Sequence, residues 1–488
     1  MENIIAVELI LYFVLVFGVG YYFSRRKMTH SDFLLGGKQL PGWALAFSER
    51  ATGESSWLLL GFTGFVFVNG LSSIWVISGM GLGIIVSWLF LAKKFMEERD
   101  KYDVLTLPDY LATRFPSHGK LIRYFVTILI LVFFTFYLGA QIAGAGKTLL
   151  TTFNLNPIIG LLLCTAAVIV LAFLGGFVSV VWTDMIQSMM MLLTLTILPI
   201  LAFIQIYTND ISLTAALDNA GNGVNSWTGG LTGFAFGALF FNNFTWFFGY
   251  LGGQPQLSSR FMALKNPKEV KVASITGIIW MVLAFLGAFL IGITAIALYN
   301  SGEFTDVETI LPTMILDLTP PWISGILLAG ILAAIITTAD SQIMVVTSSV
   351  TEDIMNKSLK MKLSDKKWIF VSRIVIIASG MLGLIIALMS KSLVYAVVSW
   401  AWTGVGATLS PAILLTFFWK RYSGVGALAT VASGLICTLI WINSPLEEIL
   451  SSRFTTFFIA SLFGIVFSLI YPDKAEKSIH HEKQVIES

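Results

Sequence analysis

Apolar residues form long runs along the chain, and short polar connections separate these runs. A membrane-spanning helix needs about 20 predominantly apolar residues, and about thirteen runs are long enough. The predicted spans lie near residues 4–23, 42–68, 71–92, 121–151, 156–174, 178–207, 229–252, 272–299, 322–350, 369–390, 393–418, 424–443 and 455–471. The pattern therefore predicts an all-α polytopic membrane protein that contacts the lipid bilayer.

Composition agrees with this prediction and narrows the classes of function. Hydrophobic residues make up 56% of the chain and charged residues 12%, and the mean hydropathy is +0.83. A soluble globular protein carries about 25% charged residues. The net charge of +2 gives no sign of nucleic-acid binding. Cys164 and Cys437 lie in apolar runs, so we expect neither a disulfide framework nor a metal centre. The sequence leaves the oligomeric state open.

The distribution of Lys and Arg predicts the orientation in the membrane. If the N-terminus lies outside and the spans alternate, nearly all basic residues fall in cytoplasmic connections, beginning with 25–27. Only Lys391 and Arg453 then lie outside, and the outer loops 208–227 and 300–319 contain no Lys or Arg. This asymmetry follows the positive-inside rule. It predicts an external N-terminus and a cytoplasmic C-terminus in a cell membrane.

The second span carries charge at membrane depth. Its cytoplasmic half, 48–56, contains Glu49, Arg50 and Glu54 among Ser, Thr and Gly residues. Ionisable groups inside a membrane are costly unless they are paired or hydrated, and they mark functional sites by default. A broken helix at this depth can hold a cation with its freed carbonyl groups. We therefore predict that this span is broken at a binding site.

A second interruption lies five spans later. The seventh span contains Asn242, Asn243 and Thr245, followed by a glycine pair at 252–253. Interrupted spans in matching positions of two halves indicate an inverted-repeat transporter, although polar residues can also serve only to join neighbouring helices. The predicted organisation is a peripheral N-terminal helix and cytoplasmic loop (1–41), two five-helix repeats (42–207 and 208–418), two peripheral helices (419–471) and a cytoplasmic tail (472–488).

The ninth span contains oxygen ligands on one face. Thr337, Asp340 and Ser341 are spaced i, i+3 and i+4, and Thr338 lies one residue round the helix. Hydroxyl, carboxylate and backbone oxygens suit a hard alkali cation. Hydroxyl groups can instead bond back to the preceding turn, but that explanation does not account for the carboxylate. The polar stripe continues toward the cytoplasmic end of the span at 348–353.

Asp184 is a further acid at membrane depth. It lies about 9 Å into the sixth span at the helical rise, so it reaches a depth similar to that of Asp340. The two carboxylates are therefore expected to meet round one cation. The alternative is a structural ion pair of Asp184 with Arg50 or Lys147.

Several motifs, taken together, connect the chain with a known family. They are Leu-Gly-Gly-Lys-Gln-Leu at 35–40, Gly-Gly-Phe-Val-Ser at 175–179, Trp-Thr-Asp at 182–184, Gly-Gln-Pro at 253–255, Ser-Arg-Phe-Met at 259–262, and the segment that runs from Ile-Leu-Ala-Ala at 331–334 to Ser-Ser-Val-Thr-Glu-Asp at 348–353. Nearly the whole chain resembles the sodium:solute symporter family, nearest its bacterial sodium/proline permease branch. The resemblance implies a LeuT-type 5+5 inverted-repeat fold and sodium-driven uptake.

The resemblance also implies roles for individual residues. The implied sodium ligands are the carbonyl groups of Ala51, Glu54 and Ala334 and the hydroxyl groups of Thr337 and Thr338. A second sodium, where the family has one, corresponds to Asp184, Thr337, Asp340 and Ser341. The implied substrate positions are Gly53, Ser55, Tyr137, Gln141, Phe247 and Leu251, to which we add Arg50 from its charge.

The chain departs from the proline branch within the implied substrate site. Glu54 precedes Ser55-Ser56, so the acid is displaced by one position from the usual pattern, and Glu49 and Arg50 replace small residues. Phe247 stands where a Trp is expected, and Leu251 stands where a Tyr is expected.

These observations predict a carrier and not an enzyme. We expect a sodium-coupled symporter that imports a small polar organic solute, either an amino acid of the proline type or a carboxylate, by alternating access. Sodium is its coupling ion, and no cofactor is expected. The alternatives are a proton-coupled carrier that uses Glu54, Asp184 or Asp340, and a channel or transporter-like sensor.

Overall fold

The computed structural model describes residues 2–25, 29, 33–34, 40–300, 302–390 and 392–473. Most of the motif at 35–40, two of the three basic residues at 25–27, Lys391 and the tail beyond 473 lie outside the described residues.

Helices account for all the regular structure of the described residues, as the hydrophobic runs predict. They are α1 (Glu2–Ser24), α2 (Gly42–Gly53), α3 (Thr63–Asn69), α4 (Ile74–Val86), α5 (Ala92–Tyr102), α6 (Leu107–Arg114), α7 (Gly119–Phe153), α8 (Pro157–Thr208), α9 (Leu213–Asn219), α10 (Gly233–Phe244), α11 (Trp246–Gly249), α12 (Pro255–Ala263), α13 (Pro267–Leu298), α14 (Ile310–Leu318), α15 (Pro321–Ser348), α16 (Asp365–Met389), α17 (Val394–Trp402), α18 (Thr408–Phe418), α19 (Gly424–Trp441) and α20 (Ser452–Ile470). Short π-helical turns precede α3 and join α4 to α5 and α17 to α18.

The helical stretches that reach the length of a membrane span are fewer than the predicted spans. Within the part of the chain that the structure describes, 11 helical stretches are long and apolar enough to cross a membrane, so the count of thirteen is not confirmed. The predicted span 229–252 is broken into pieces too short to be counted, and the first piece of the predicted span 42–68, α2, is also too short. The piece after the first break runs on into the next span as one stretch, Trp57–Tyr102, of 46 residues.

Both predicted interruptions are real breaks in the helices. The first follows α2, where Glu54 leaves the helical region with φ −100° and ψ 52°. The second comprises Thr245 and the non-helical segment 250–254, in which Gly252 has a φ of +82° that favours glycine. Gly176, with a φ of +59°, divides α8 between the fifth and sixth predicted spans.

The helices that carry the predicted ligands lie at the centre of the molecule. α15 is buried along most of its length and packs against α7, α8 and α2. α1, predicted to be peripheral, packs against both α8 and α15. The last two helices, α19 and α20, pack on each other and on α18.

Candidate ion and solute site

The break after α2 lies against the middle of α15. The Thr337 hydroxyl lies 3.1 Å from the carbonyl oxygen of Ala51 and 3.2 Å from that of Ala334. The Thr338 hydroxyl donates to the carbonyl of Thr52 at 3.0 Å. All of these residues are buried. The structure therefore brings together four of the five predicted sodium positions, and it adds the carbonyl of Thr52, which the sequence did not indicate.

The end of α2 explains why these carbonyl groups are free to bind. The Glu54 N–H donates to the carbonyl of Arg50 at 2.9 Å, and the chain then leaves the helix. The carbonyl groups of the last turn therefore lack the usual helical partners and carry the partial negative charge of a helix C-terminus. The indole N–H of Trp57 donates to the carbonyl oxygen of Gly53 at 2.9 Å. The carbonyl groups of Ala51 and Thr52 can therefore accept from hydroxyl groups of α15.

The side chain of Glu54 points to a different partner. It accepts a hydrogen bond from Arg50 at 2.8 Å, while the other side of the Arg50 guanidinium forms a two-pronged ion pair with Glu49. The indole of Trp88 donates to Glu49 at 3.1 Å. Arg50 is completely buried and does not face lipid. Two carboxylates thus hold one guanidinium, and Oε2 of Glu54 has no hydrogen bond of normal geometry among the described residues.

Three of the predicted substrate positions form a cluster of hydroxyl and amide groups just after the break that follows α2. The Ser55 and Tyr137 hydroxyl groups are 3.1 Å apart, and the Gln141 amide donates to Ser55 at 3.2 Å. The Gln141 carbonyl oxygen accepts from the N–H and the hydroxyl of Ser56 at 3.2 and 2.9 Å. Gly53 and Ser55 themselves flank Glu54, so the cluster and the ion pair are adjacent.

The second break contributes aromatic rings, but from different positions than expected. The ring of Trp246 stacks on Trp57 with a centroid distance of 5.4 Å, and the ring of Tyr250 lies 4.3 Å from that of Trp402. The indole of Trp402 donates to the Tyr137 hydroxyl at 3.2 Å. Sequence reasoning did not single out these rings.

Phe247 and Leu251, the predicted substrate positions of the second break, are not part of this group of rings. The ring contacts that the structure gives Phe247 are with Phe244 and Phe248, and Leu251 is buried at the bend. The tryptophan and tyrosine expected at 247 and 251 stand one residue earlier, as Trp246 and Tyr250. The bend contains two consecutive glycines, 252 and 253, before Gln-Pro.

The predicted second cation position contains a guanidinium group. Arg260 of α12 donates to Ser341 at 2.6 Å and forms an ion pair with Asp184 at 3.2 Å. It also donates to Ser48 at 3.1 Å and to Thr52 at 3.3 Å, both on α2. Sequence reasoning placed Arg260 in a cytoplasmic connection, whereas its side chain is buried.

The suggested pairing of Asp184 with Arg50 or Lys147 is wrong. Arg50 pairs with Glu49 and Glu54. Lys147, near the C-terminal end of α7, pairs with Asp306 at 2.7 Å and Glu308 at 2.5 Å. Asp184 instead bonds to Arg260 and accepts from Ser48 at 2.6 Å. The signal for Arg260 was its position after Gly-Gln-Pro, because a proline begins α12 and turns the chain back toward α2.

Asp340 stands apart from the cluster round Arg260. It is completely buried, and neither of its carboxylate oxygens has a hydrogen-bond partner among the described residues. It lies close enough to Asp184 and to Tyr12 of α1 to interact electrostatically with both. Gln187 donates to the Tyr12 hydroxyl at 2.6 Å. The structure thus brings Asp184 and Ser341 together without hydrogen-bonding Asp340 to either.

A cavity lies on the side of Arg260 that the charge distribution predicts to be cytoplasmic. Arg260 and Ser341 form part of its wall, and hydroxyl groups of the polar stripe, Ser348 and Ser349, line it further along α15. Thr106, in the connection before α6, contributes to the opposite wall. The ion pair of Arg260 therefore lies between this cavity and the buried groups of the α2 break.

Known proteins resemble this chain over most of its length. The model of the sodium:solute symporter family matches residues 33–434. The chain is 34% identical over 465 residues to the high-affinity proline transporter PutP of Bacillus subtilis, covering 94% of this chain and 97% of that protein. It is 31% identical over 475 residues to the sodium/proline symporter of Escherichia coli, covering 95% and 93%.

Solved structures show the same fold. A Na+-coupled sialic acid symporter in a substrate-bound outward-open state superposes with a TM-score of 0.78 at 20% identity, covering 96% of this chain and 99% of that one. A nucleobase-cation-symport-1 family transporter, Mhp1, superposes with a TM-score of 0.57 at 12% identity, covering 92% and 98%. The architecture is therefore all-α and LeuT-type, as the sequence predicts.

Proposed function

The chain belongs to the sodium:solute symporter family, and we propose that it couples inward movement of sodium to uptake of a small zwitterionic amine carboxylate of the proline type. It is a multi-pass membrane protein of the cell membrane and a member of a transporter family, not an enzyme.

The observation that carries the sodium proposal is the position of the Thr337 hydroxyl. It lies between carbonyl oxygens from two separate elements, Ala51 at the broken end of α2 and Ala334 on α15. Oxygen atoms of this kind are the ligands that a hard cation prefers. A sodium ion bound there would hold α2 and α15 together, so its binding free energy would favour one arrangement of these helices over another.

The groups round the break support an amine carboxylate as the solute. The Glu54 oxygen Oε2, which makes no hydrogen bond of normal geometry among the described residues, can accept from an ammonium group, and the hydroxyl and amide cluster of Ser55 and Gln141 can donate to a carboxylate. The stacked rings of Trp57 and Trp246 suit an apolar or cationic body between these ends. The curated relatives described above are named as proline transporters, which is the same chemical class.

Alternating access then requires contacts that open and close on each side of the site. On the outer side, Tyr395 stacks on Phe65 of α3 at 4.9 Å and approaches Trp246 at 5.8 Å. On the other side, Arg260 joins α2, α8 and α15 through Ser48, Asp184 and Ser341. With sodium and solute bound, we expect the outer contacts to stay closed while the contacts of Arg260 separate.

A proton-coupled carrier is the second candidate, and Asp340 favours it. A fully buried carboxyl group without a hydrogen-bond partner can bind either a cation or a proton. The burial of Arg50, Glu54 and Thr337 argues against a simple open pore.

Uptake into proteoliposomes distinguishes these functions. The purified protein is reconstituted and supplied with labelled proline, other amino acids, betaines and organic acids, under an inward sodium gradient, an inward proton gradient, or neither. Accumulation of proline or a betaine only with the sodium gradient supports the proposal. Accumulation driven by the proton gradient in sodium-free buffer, or gradient-independent flux, contradicts it.

A further inference from the structure

The last helical pair reaches the second break through one arginine. Arg453, at the start of α20, donates through Nε to the Thr245 hydroxyl at 3.2 Å and through Nη2 to the carbonyl of Asn242 at 3.1 Å. Its remaining nitrogen, Nη1, donates to Ser399 of α17. The three nitrogens of one guanidinium therefore connect α20, the broken segment α10–α11 and α17.

The same guanidinium lies on an aromatic ring of the solute site. Its central carbon is 4.5 Å from the centroid of the Trp246 ring, which stacks in turn on Trp57 beside the first break. Arg453 is only 8% exposed. No carboxylate of the described residues lies within ion-pair distance, so neutral oxygens and the face of the indole ring solvate the charge.

Neighbouring residues fix the arginine in place. The Asn242 side chain donates to the carbonyl of Ile449 at 3.1 Å and accepts from the N–H of Ser451 at 2.8 Å. Glu447 accepts from the N–H of Ser452 at 2.7 Å, which stabilises the first turn of α20. The connection between α19 and α20 is thus attached directly to the broken segment.

We propose that Arg453 is a positioning residue for solute binding, which fixes the Trp246 ring and thereby the outer wall of the site. This inference rests on the proposed function, because it assigns Trp246 to the wall of the solute site. It gives the terminal helical pair, which sequence reasoning treated as peripheral, a direct connection to that wall.

Arginine is suited to this role because its planar fork makes several hydrogen bonds while it stacks on a ring. Lysine keeps the charge but offers a single nitrogen, so it cannot reach Thr245, Asn242 and Ser399 at once. Arg453→Lys should therefore restore little of what Arg453→Gln loses.

The test compares Arg453→Gln, Arg453→Lys and Trp246→Phe, singly and combined, in proteoliposome uptake. We expect Arg453→Gln to raise the solute half-saturation about tenfold and to leave the maximal rate per molecule within about twofold. Adding it to Trp246→Phe should give less than the product of the single effects, because both act on one ring. Arg373→Gln is the control, since Arg373 also lies 4.5 Å from an aromatic ring, that of Phe173, away from the site.

A loss of maximal rate at unchanged half-saturation, or effects that multiply in the double variant, would overturn the inference. Hydrogen exchange of the 240–251 backbone provides a measurement that needs no solute. Faster exchange in Arg453→Gln than in the parent protein is expected, and unchanged exchange contradicts the positioning role. If the parent protein transports no solute with sodium, the proposed function fails, while hydrogen exchange still decides the contact between Arg453 and the broken segment.

Discussion

Replacing Thr337 by alanine removes the side-chain oxygen that lies between the carbonyl groups of Ala51 and Ala334. With sodium bound, the loss of this ligand costs about as much as a hydrogen bond to a charged group, roughly 1.5–3 kcal/mol. Without sodium, the hydroxyl has one proton and donates to one carbonyl at a time, so its loss costs only about 0.5–1.5 kcal/mol. The difference, about 1–2 kcal/mol, weakens sodium binding about five- to thirtyfold.

The assay is solute uptake into proteoliposomes at varied external sodium, with the solute held constant. Thr337→Ala should raise the sodium half-saturation by that factor, and Thr337→Ser, which keeps the hydroxyl, should stay close to the parent protein. Thr338→Ala should change sodium affinity in the same direction, because its hydroxyl meets the neighbouring carbonyl of Thr52.

Thr294→Ala is the matched control. Thr294 is equally buried, but its hydroxyl donates only to carbonyl groups of its own helix, α13, at 2.8 and 3.1 Å. An unchanged sodium half-saturation in Thr337→Ala, or an equal rise in Thr294→Ala, would refute the assignment of the ion site.

Three further outcomes follow from the contacts of the site. Trp246→Ala should raise the solute half-saturation much more than Phe247→Ala, and the opposite order would restore the register expected from sequence. Asp184→Asn should leave Arg260 buried without its carboxylate and destabilise the protein by about 3–5 kcal/mol, which thermal unfolding in detergent measures; a shift below about 1 kcal/mol contradicts the ion pair. Arg260→Gln should free Asp184 and Ser341 for a second sodium and raise the Hill coefficient for sodium above that of the parent protein, whereas an unchanged coefficient argues against a cation position there.

The sequence identified the helices and their breaks because these features are local. Long apolar runs predict spans wherever they occur, and the small and polar residues round Glu54 and Thr245 weaken a helix irrespective of what packs on it. The count of thirteen spans stays a prediction, because hydropathy registers the length of an apolar run and not where a broken helix ends.

The partners of the charged side chains could not be predicted in the same way. The spacing of Thr337 and Asp340 shows which groups share a helix face, but not which residue from another helix meets that face. Arg260 lies 76 residues from Asp184 in the chain, and only the turn at Pro255 directs it inward. The ring of Trp246 was missed for a related reason, since a motif position does not show which neighbouring side chain packs on the first break.

The guanidinium of Arg260 also limits how far a solute can be concentrated. While it neutralises Asp184 beside Ser341, we expect each transport cycle to carry a single sodium ion. A tenfold sodium gradient supplies about 1.4 kcal/mol and a potential of 100 mV about 2.3 kcal/mol per charge, so one ion sustains an accumulation ratio of about 500 for a zwitterion. A second ion would square that ratio to about 2.5 × 10⁵. With the Arg260 guanidinium in place of a second sodium ion, we therefore expect the carrier to use less sodium per solute molecule and to reach a lower internal solute concentration.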